Sequence, residues 1–410
     1  MFKKHGRAII LTAVILTGIS ILRFQNYSDT HEIGVDLPVV DSTLLKLKND
    51  VIRFEQIFKS GVEGCKCPGS AIVVVKDSSV ILMKGFGTKK VRTNDPVDEN
   101  TVFRLGSVSK GFASVTAGML VEKGYFDWDD KVKDYYPGFE LISEEQGTRI
   151  KISHILSHTS GLIRHAYTNL IEEGWSIEEI TPLLKEVELV GREGENFAYQ
   201  NVMYSLIEKV ASQATNRKYP EILQQEIFDK CGMDYSTCTY EGLKKAENKS
   251  MPHLLVANNY IYAKTKITRK YYNSVSSGGV NASVSDMGKW LMLLLGNRPD
   301  IISSETLESI FEPVISTRHE RRFYDRWQEC TGSYYAMGWR VLDFNNRRII
   351  YHGGYVNGYR SEIAFDRENK VGVCALFNTP CKYANSVIRD FFNFYDNTIL
   401  PGNILAQKTD

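Results

Sequence analysis

Strand-forming stretches stand near both ends of this chain, and helix-forming sequence fills the space between them. Near the start, SAIVVV (70–75) and VILMKGFG (80–87) flank Asp77-Ser78-Ser79, which reads as a hairpin turn. Near the end, Arg348–His352, Ser361–Phe365 and Val371–Phe377 are rich in β-branched and aromatic residues, with a turn at Asp366–Lys370. A helix is expected from Ser42, as cap, to about Lys59. Leu47, Val51, Phe54 and Phe58 recur there at helical spacing, and Gly61 is its expected stop. Another runs from Ser107 to Lys123 with Gly124 behind it, and more follow near 153–158, 199–213, 219–230 and 284–295. A closing amphipathic helix covers about 382–396. Terminal strands with a helical middle predict one α/β (α+β) domain. An antiparallel sheet drawn from both chain ends is flanked by the first and last helices, and the insertion makes a mostly helical second lobe. A site is expected between the two.

Composition narrows the function classes. The chain has 410 residues, 43% hydrophobic and 24% charged, with a formal net charge of +1. That is globular composition, with no global field to draw nucleic acid. Lys3, Lys4 and Arg7 precede an uncharged stretch, Ala8–Leu22, which reads as an export signal. It is short of the ~20 apolar residues of a membrane span, and no clear A-x-A cleavage site follows. A cleaved signal and a retained membrane anchor both fit, with the rest of the chain outside the cytoplasm. Seven cysteines leave at least one without a partner in the same chain. Cys65 and Cys67 are too close to bridge each other easily, though either could pair elsewhere. Cys374, in VGVCALF, reads as a core residue.

Ser107 and Lys110 form the only Ser-x-x-Lys in the chain. On a helix, residues three apart share a face, so hydroxyl and amine can meet. A serine hydroxyl needs a base to become a nucleophile, and a lysine serves only if burial or nearby cations lower its pKa from ~10.4. A helix beginning at the serine adds N–H groups near a developing oxyanion.

The surrounding residues, VFRLGSVSKGFASVTAGMLVEKGYFDWDDKVKDYYPGF, resemble the active-site helix of the penicillin-recognising serine hydrolases. That family includes class C β-lactamases, D-alanyl-D-alanine carboxypeptidases, D-aminopeptidases and esterases. KISHILSHTSGL (151–162), FAYQNVMYSLIEKVA (197–211), SSGGVNASVSDMGKWL (276–291), YAMGWRV (335–341) and YHGGYVNGYRSEIAFD (351–366) continue the resemblance in the family's order. It implies a β-lactamase/transpeptidase-like fold and an acyl-enzyme on Ser107. Tyr-x-Asn recurs along the chain, but only Tyr199-Gln200-Asn201 lies in matching context. The resemblance implies Tyr199 as a proton carrier beside Lys110 and Asn201 as a contact to a substrate amide. The Lys/His-Thr/Ser-Gly triplet corresponds to His352-Gly353-Gly354, which implies His352 near Tyr199 and Lys110, supplying charge or a hydrogen bond. The N–H of Tyr355 would join that of Ser107 as the oxyanion pair. Gly353 departs from the family's hydroxyl residue, which puts carboxylate recognition in doubt. Arg360 is the expected substitute, since a guanidinium binds carboxylates through two parallel hydrogen bonds.

Other chemistries lack their residues. HILSH at 154–158 has no glutamate for a zinc protease, and there is no G-x-S-x-G elbow. No metal or organic cofactor is expected. The sequence divides into a leader (1–28), a linker (29–41), the hydrolase domain (42–400) and a tail (401–410). Within the domain, about 42–104 and 330–400 form the sheet lobe and about 105–329 the helical lobe. The expected function is that of an exported serine hydrolase. It would act through an acyl-enzyme on peptidoglycan D-Ala-D-Ala-type peptides, β-lactams or esters. The alternative is a penicillin-binding-like sensor that is acylated without turnover.

Overall fold

A computed structural model describes residues 42–399, apart from 257–259, 263–265 and 319–326. The apolar N-terminal segment, the linker and the tail lie outside the described residues. Among the described residues no helix is long and apolar enough to cross a membrane.

The terminal strands do form one sheet. In chain order its strands are β1 (Gly69–Lys76), β2 (Ser79–Gly87), β3 (Ile315–Ser316), β4 (Cys330–Tyr335), β5 (Arg340–Phe344), β6 (Arg347–Val356), β7 (Tyr359–Asp366) and β8 (Val371–Phe377). Their spatial order is β2-β1-β8-β7-β6-β5-β4-β3, and every pairing is antiparallel. The first hairpin therefore docks on the last strand, with Ser70 opposite Phe377. The central strands β1, β7 and β8 are buried on both faces, which explains their nearly continuous apolar runs.

The two faces carry separate cores. The outer face, with Ile72, Val74, Tyr351 and Phe377, packs under the first helix, α1 (Ser42–Gly64), and under Val387–Phe394 near the end of the chain. The inner face, with Val73, Ile363 and Cys374, packs against the helical lobe. That lobe includes α2 (Ser109–Glu122), α3 (Asn201–Thr215) and α4 (Val284–Leu294). Phe112 of α2 stacks on Trp290 of α4 with ring centroids 4.1 Å apart. Helix α1 runs through Gly61 rather than stopping there. A Cβ on Gly61 would lie 2.5 Å from the Tyr383 ring, so this glycine is a packing slot. The expected helix at 219–230 is continuous through Cys231, with a π-type turn at Gln224–Phe228.

Candidate active site

Ser107 sits in a single 3₁₀ turn, Gly106–Val108, just before α2 begins at Ser109. The turn is fixed from both sides. Phe103 and Arg104 pair with Ala282 and Asn281, and Leu105 N–H donates to Val280 O at 2.9 Å. Ser361 Oγ, on β7, donates to Leu105 O at 2.5 Å. Two glycines allow this approach. A Cβ on Gly354 would fall on Leu105 O. One on Gly106, whose φ is +53°, would meet Tyr355 O at 2.8 Å and Tyr355 N at 2.9 Å. The Ser107 turn is thus pressed onto the backbone of β6 at Tyr355. Strand β5 pairs with β6 only as far as Tyr351, so His352–Val356 presents its other backbone edge to this seam.

Lys110 is fully buried. Its Nζ donates to Asn201 Oδ1 at 2.8 Å and to Ser277 O at 2.9 Å, and lies 4.7 Å from the centroid of the Tyr199 ring. Burial holds its amine well below the usual lysine value. Two acceptors match the two N–H bonds of a neutral amine and leave its lone pair unengaged, which is the state a base requires.

Tyr199 is held through its backbone neighbours. Ala198 N–H donates to His158 O at 2.9 Å, Gln200 N–H to His158 Nδ1 at 3.1 Å, and His165 N–H to Tyr199 O at 2.9 Å. The His158 ring packs 4.3 Å from the Tyr199 ring. Burial above all drives the His158 pKa well down. With Nδ1 accepting, the neutral ring carries its proton on Nε2. His158, in the SHTSGL turn, thus positions Tyr199 from below.

His352 lies in the same group, 6.4 Å from Tyr199 between ring centroids, but not as a cation. Burial first, then Lys110 and Arg340, push its pKa well down. Nδ1 faces Gly353 O at 2.9 Å, which requires the proton there. Nε2 then accepts from Tyr335 Oη at 3.1 Å. Of the charge or hydrogen bond expected of His352, this neutral ring offers the hydrogen bond.

The structure brings Ser107, Lys110, Tyr199, Asn201, His352, Gly354 and Tyr355 to one seam. It does not bring Arg360 there. Arg360 and Gly353 belong to the outer sheet face, where Arg360 Nη2 pairs with Glu362 at 2.5 Å and Tyr351 Oη donates to Glu362 at 2.7 Å. A side chain at 353 would point into that cluster, 2.7 Å from Tyr351 Oη and 2.8 Å from Glu362 Oε2. The carboxylate contact assigned to Arg360 is corrected accordingly. Asn201 turns its Oδ1 to Lys110, leaving the Nδ2 end as its donor.

Residue-level reading missed several contributors. Tyr204 Oη donates to Lys110 O at 2.7 Å, tying α3 to α2. Ser277 acts through its carbonyl, and Tyr335 through His352. Glu208 accepts from Ser276 N–H and Oγ, each at 2.7 Å, and so holds the turn that carries Ser277. Both serines lie in the quoted SSGG stretch, but a carbonyl acceptor has no side-chain signature. Among the described residues no group of three or more His, Cys, Asp or Glu is placed to hold a metal.

The Beta-lactamase family profile matches residues 54–389. Protein flp of Staphylococcus aureus (strain N315) is 22% identical over 351 residues, 84% of this chain and 66% of the relative. Unguisins hydrolase ungD' of Aspergillus campestris is 24% identical over 366 residues, 87% of this chain and 65% of the relative. The chain thus spans just under two thirds of these relatives. An octameric penicillin-binding protein homologue from Pyrococcus abyssi superposes with a TM-score of 0.74 at 25% identity, over 86% of this chain and 78% of its own. EstCE1, a hydrolase with promiscuous acyltransferase activity, does so with a TM-score of 0.67 at 18% identity, over 84% and 97%.

Proposed function

The chain belongs to the β-lactamase family of serine hydrolases, with a class C-like fold, and from that premise we propose that Ser107 is its acylated nucleophile. Lys110, beside Tyr199, takes the serine proton as Oγ bonds to the substrate carbonyl carbon. The backbone N–H groups of Ser107 and Tyr355 hold the oxyanion. The proton passes to the leaving alcohol or amine, and water attacks the acyl-enzyme by the same route. The observation that carries this reading is the buried Lys110 amine, with two N–H acceptors and a depressed pKa.

The substrate class follows from what faces the seam. Arg360 is engaged by Glu362 on the opposite face, and position 353 offers no hydroxyl. We therefore favour acyl substrates that need no carboxylate clamp, namely esters and neutral amides, over β-lactams and D-alanine-terminated peptides. The relative that is a hydrolase and the fold neighbour with acyltransferase activity support this direction. The basic residues before Ala8–Leu22 support export, with the hydrolase outside the cytoplasm.

Incubation with a chromogenic ester, a chromogenic cephalosporin and a fluorescent penicillin tests the reading. Ester turnover well above cephalosporin turnover, abolished in Ser107→Ala, is the expected result. Stable labelling of Ser107 without turnover of any substrate would instead favour the sensor. No label and no turnover in folded protein would refute the nucleophile.

A further inference from the structure

Three of the seven thiols meet where the end of α1 comes beside the chain leaving β8. Cys65 and Cys67 follow α1, and Cys381 follows β8. The sheet register brings these segments together. Ser70 pairs with Phe377, and beyond that pair Asn378 N–H donates to Gly69 O at 3.0 Å, while Gly69 N–H donates to Asn378 Oδ1 at 2.9 Å. The chain entering β1 therefore runs beside the chain leaving β8. The helix end is drawn to the same place by Tyr383, whose ring fills the slot at Gly61 and lies 5.7 Å from the Phe58 ring. The Cys381 thiol is within hydrogen-bonding reach of both Cys65 and Cys67. Cys67 and Cys381 are buried, at 8% and 9% exposure, and Cys65 is half-buried at the rim.

We propose that this trio is a redox site in which Cys65 and Cys381 form a disulfide, with Cys67 as the exchanging thiol. The bond would staple the end of α1 to the segment after β8 and close a loop around nearly the whole domain. Cys65 is the solvent-reached member, so its thiolate attacks a low-molecular-weight disulfide and releases one thiolate of that oxidant. Cys381 then attacks the Cys65 sulfur and releases the second. Two protein thiols are oxidised, one external disulfide is reduced to two thiols, and the two protons pass to the released thiolates. Cys67 attack on the Cys381 sulfur would move the bond and free Cys65. In the folded protein this chemistry is slow near neutrality. The hydrogen bond with Cys381, then burial, push the Cys65 thiol well above its ordinary range, and Cys381 is pushed up to about 12. The site suits a bond made to last rather than a fast peroxide sensor. It is independent of the acyl chemistry proposed above.

The full chain, folded, is equilibrated in glutathione redox buffers until its thiol count stops changing, then alkylated and digested. Trypsin cuts after Lys66, between Cys65 and Cys67, so the two linkages give different peptides. The expected result is a Cys65–Cys381 peptide, alone or with a Cys67–Cys381 minority, and a melting temperature several degrees higher than in reductant. Cys381→Ser should lose both the linkage and the shift. Penicillin or ester-probe labelling of Ser107 reports whether that variant is folded, and the wild-type comparison stands without it. Full alkylation of all three thiols at oxidising poise, linkages that omit Cys381, or linkage only after denaturation would overturn the proposal. Cys67–Cys381 as the sole linkage would overturn the assigned order.

Discussion

Gly353→Ala should destabilise this protein because the missing side chain makes room for a buried polar cluster. An added Cβ would lie 2.7 Å from Tyr351 Oη, 2.8 Å from Glu362 Oε2 and 3.4 Å from Arg360 Nη2. Ordinary contact begins near 3.4 Å, so both oxygens must retreat by roughly 0.6–0.7 Å. They are bonded to each other at 2.7 Å, and Glu362 is also tied to Arg360. Overpacking of this size costs about 1–3 kcal/mol, and losing a hydrogen bond to a charged group costs about 1.5–3 kcal/mol. The two costs are partly alternatives, so the expected loss is about 2–4 kcal/mol. At about 2 °C per kcal/mol, that is a fall of about 4–8 °C in melting temperature. Tyr351→Phe removes one of the two oxygens. On that background Gly353→Ala should cost at least ~1 kcal/mol less. Urea unfolding of the four proteins measures the cycle. A neutral Gly353→Ala, or the same cost on both backgrounds, would refute the steric argument. Gly353→Ser extends the test, since its hydroxyl would enter the cluster rather than the seam. It should bring no gain in cephalosporin hydrolysis.

Four further outcomes follow from the structure. Gly106→Ala should lower kcat/KM for esters by about 10²–10³-fold, because its Cβ would meet Tyr355 N and O and part the two oxyanion donors; steady-state kinetics checks this. Lys110→Arg should cost at least ~10²-fold, since a guanidinium stays charged. In the wild type, activity should rise with pH through an apparent pKa well below the ordinary lysine value, read from a pH–rate profile. Burial pushes the Glu208 carboxyl up from 4.5 to about 7. Between those values the native state holds a proton that the unfolded chain releases, so Glu208 favours folding below about pH 4.5, and this contribution is lost as pH rises to about 7. Glu208→Gln should remove that slope from melting temperature plotted against pH.

The sequence showed the terminal strands and the helical middle because those segments bury whole faces, and burial leaves a periodic signature. It also showed Ser107, Lys110 and Tyr199, whose side-chain chemistry is unusual at that spacing and in that context. Carbonyl acceptors leave no such trace: Ser277 meets Lys110 across 167 residues through a backbone oxygen. The helix stop expected at Gly61 has a similar cause. The glycine is demanded by Tyr383, more than three hundred residues away, and not by a local φ.

The Arg360 assignment failed for a different reason, because what corrects it was present in the sequence. Asn357-Gly358 makes a two-residue hairpin turn, with Val356 opposite Tyr359. That register places Tyr355 opposite Arg360 and Gly353 opposite Glu362. Side chains alternate along a strand, so Arg360, Glu362 and Gly353 share one face while His352 and Gly354 take the other. Arg360 stands only eight residues beyond His352, yet the turn sets it on the opposite face. The same register explains why glycine stands where a hydroxyl residue was expected. Position 353 faces Glu362, the glutamate that binds Arg360, and Tyr351 closes over it. A cluster that occupies the guanidinium also leaves no room for a side chain, so the two departures from the expected carboxylate clamp are one structural fact.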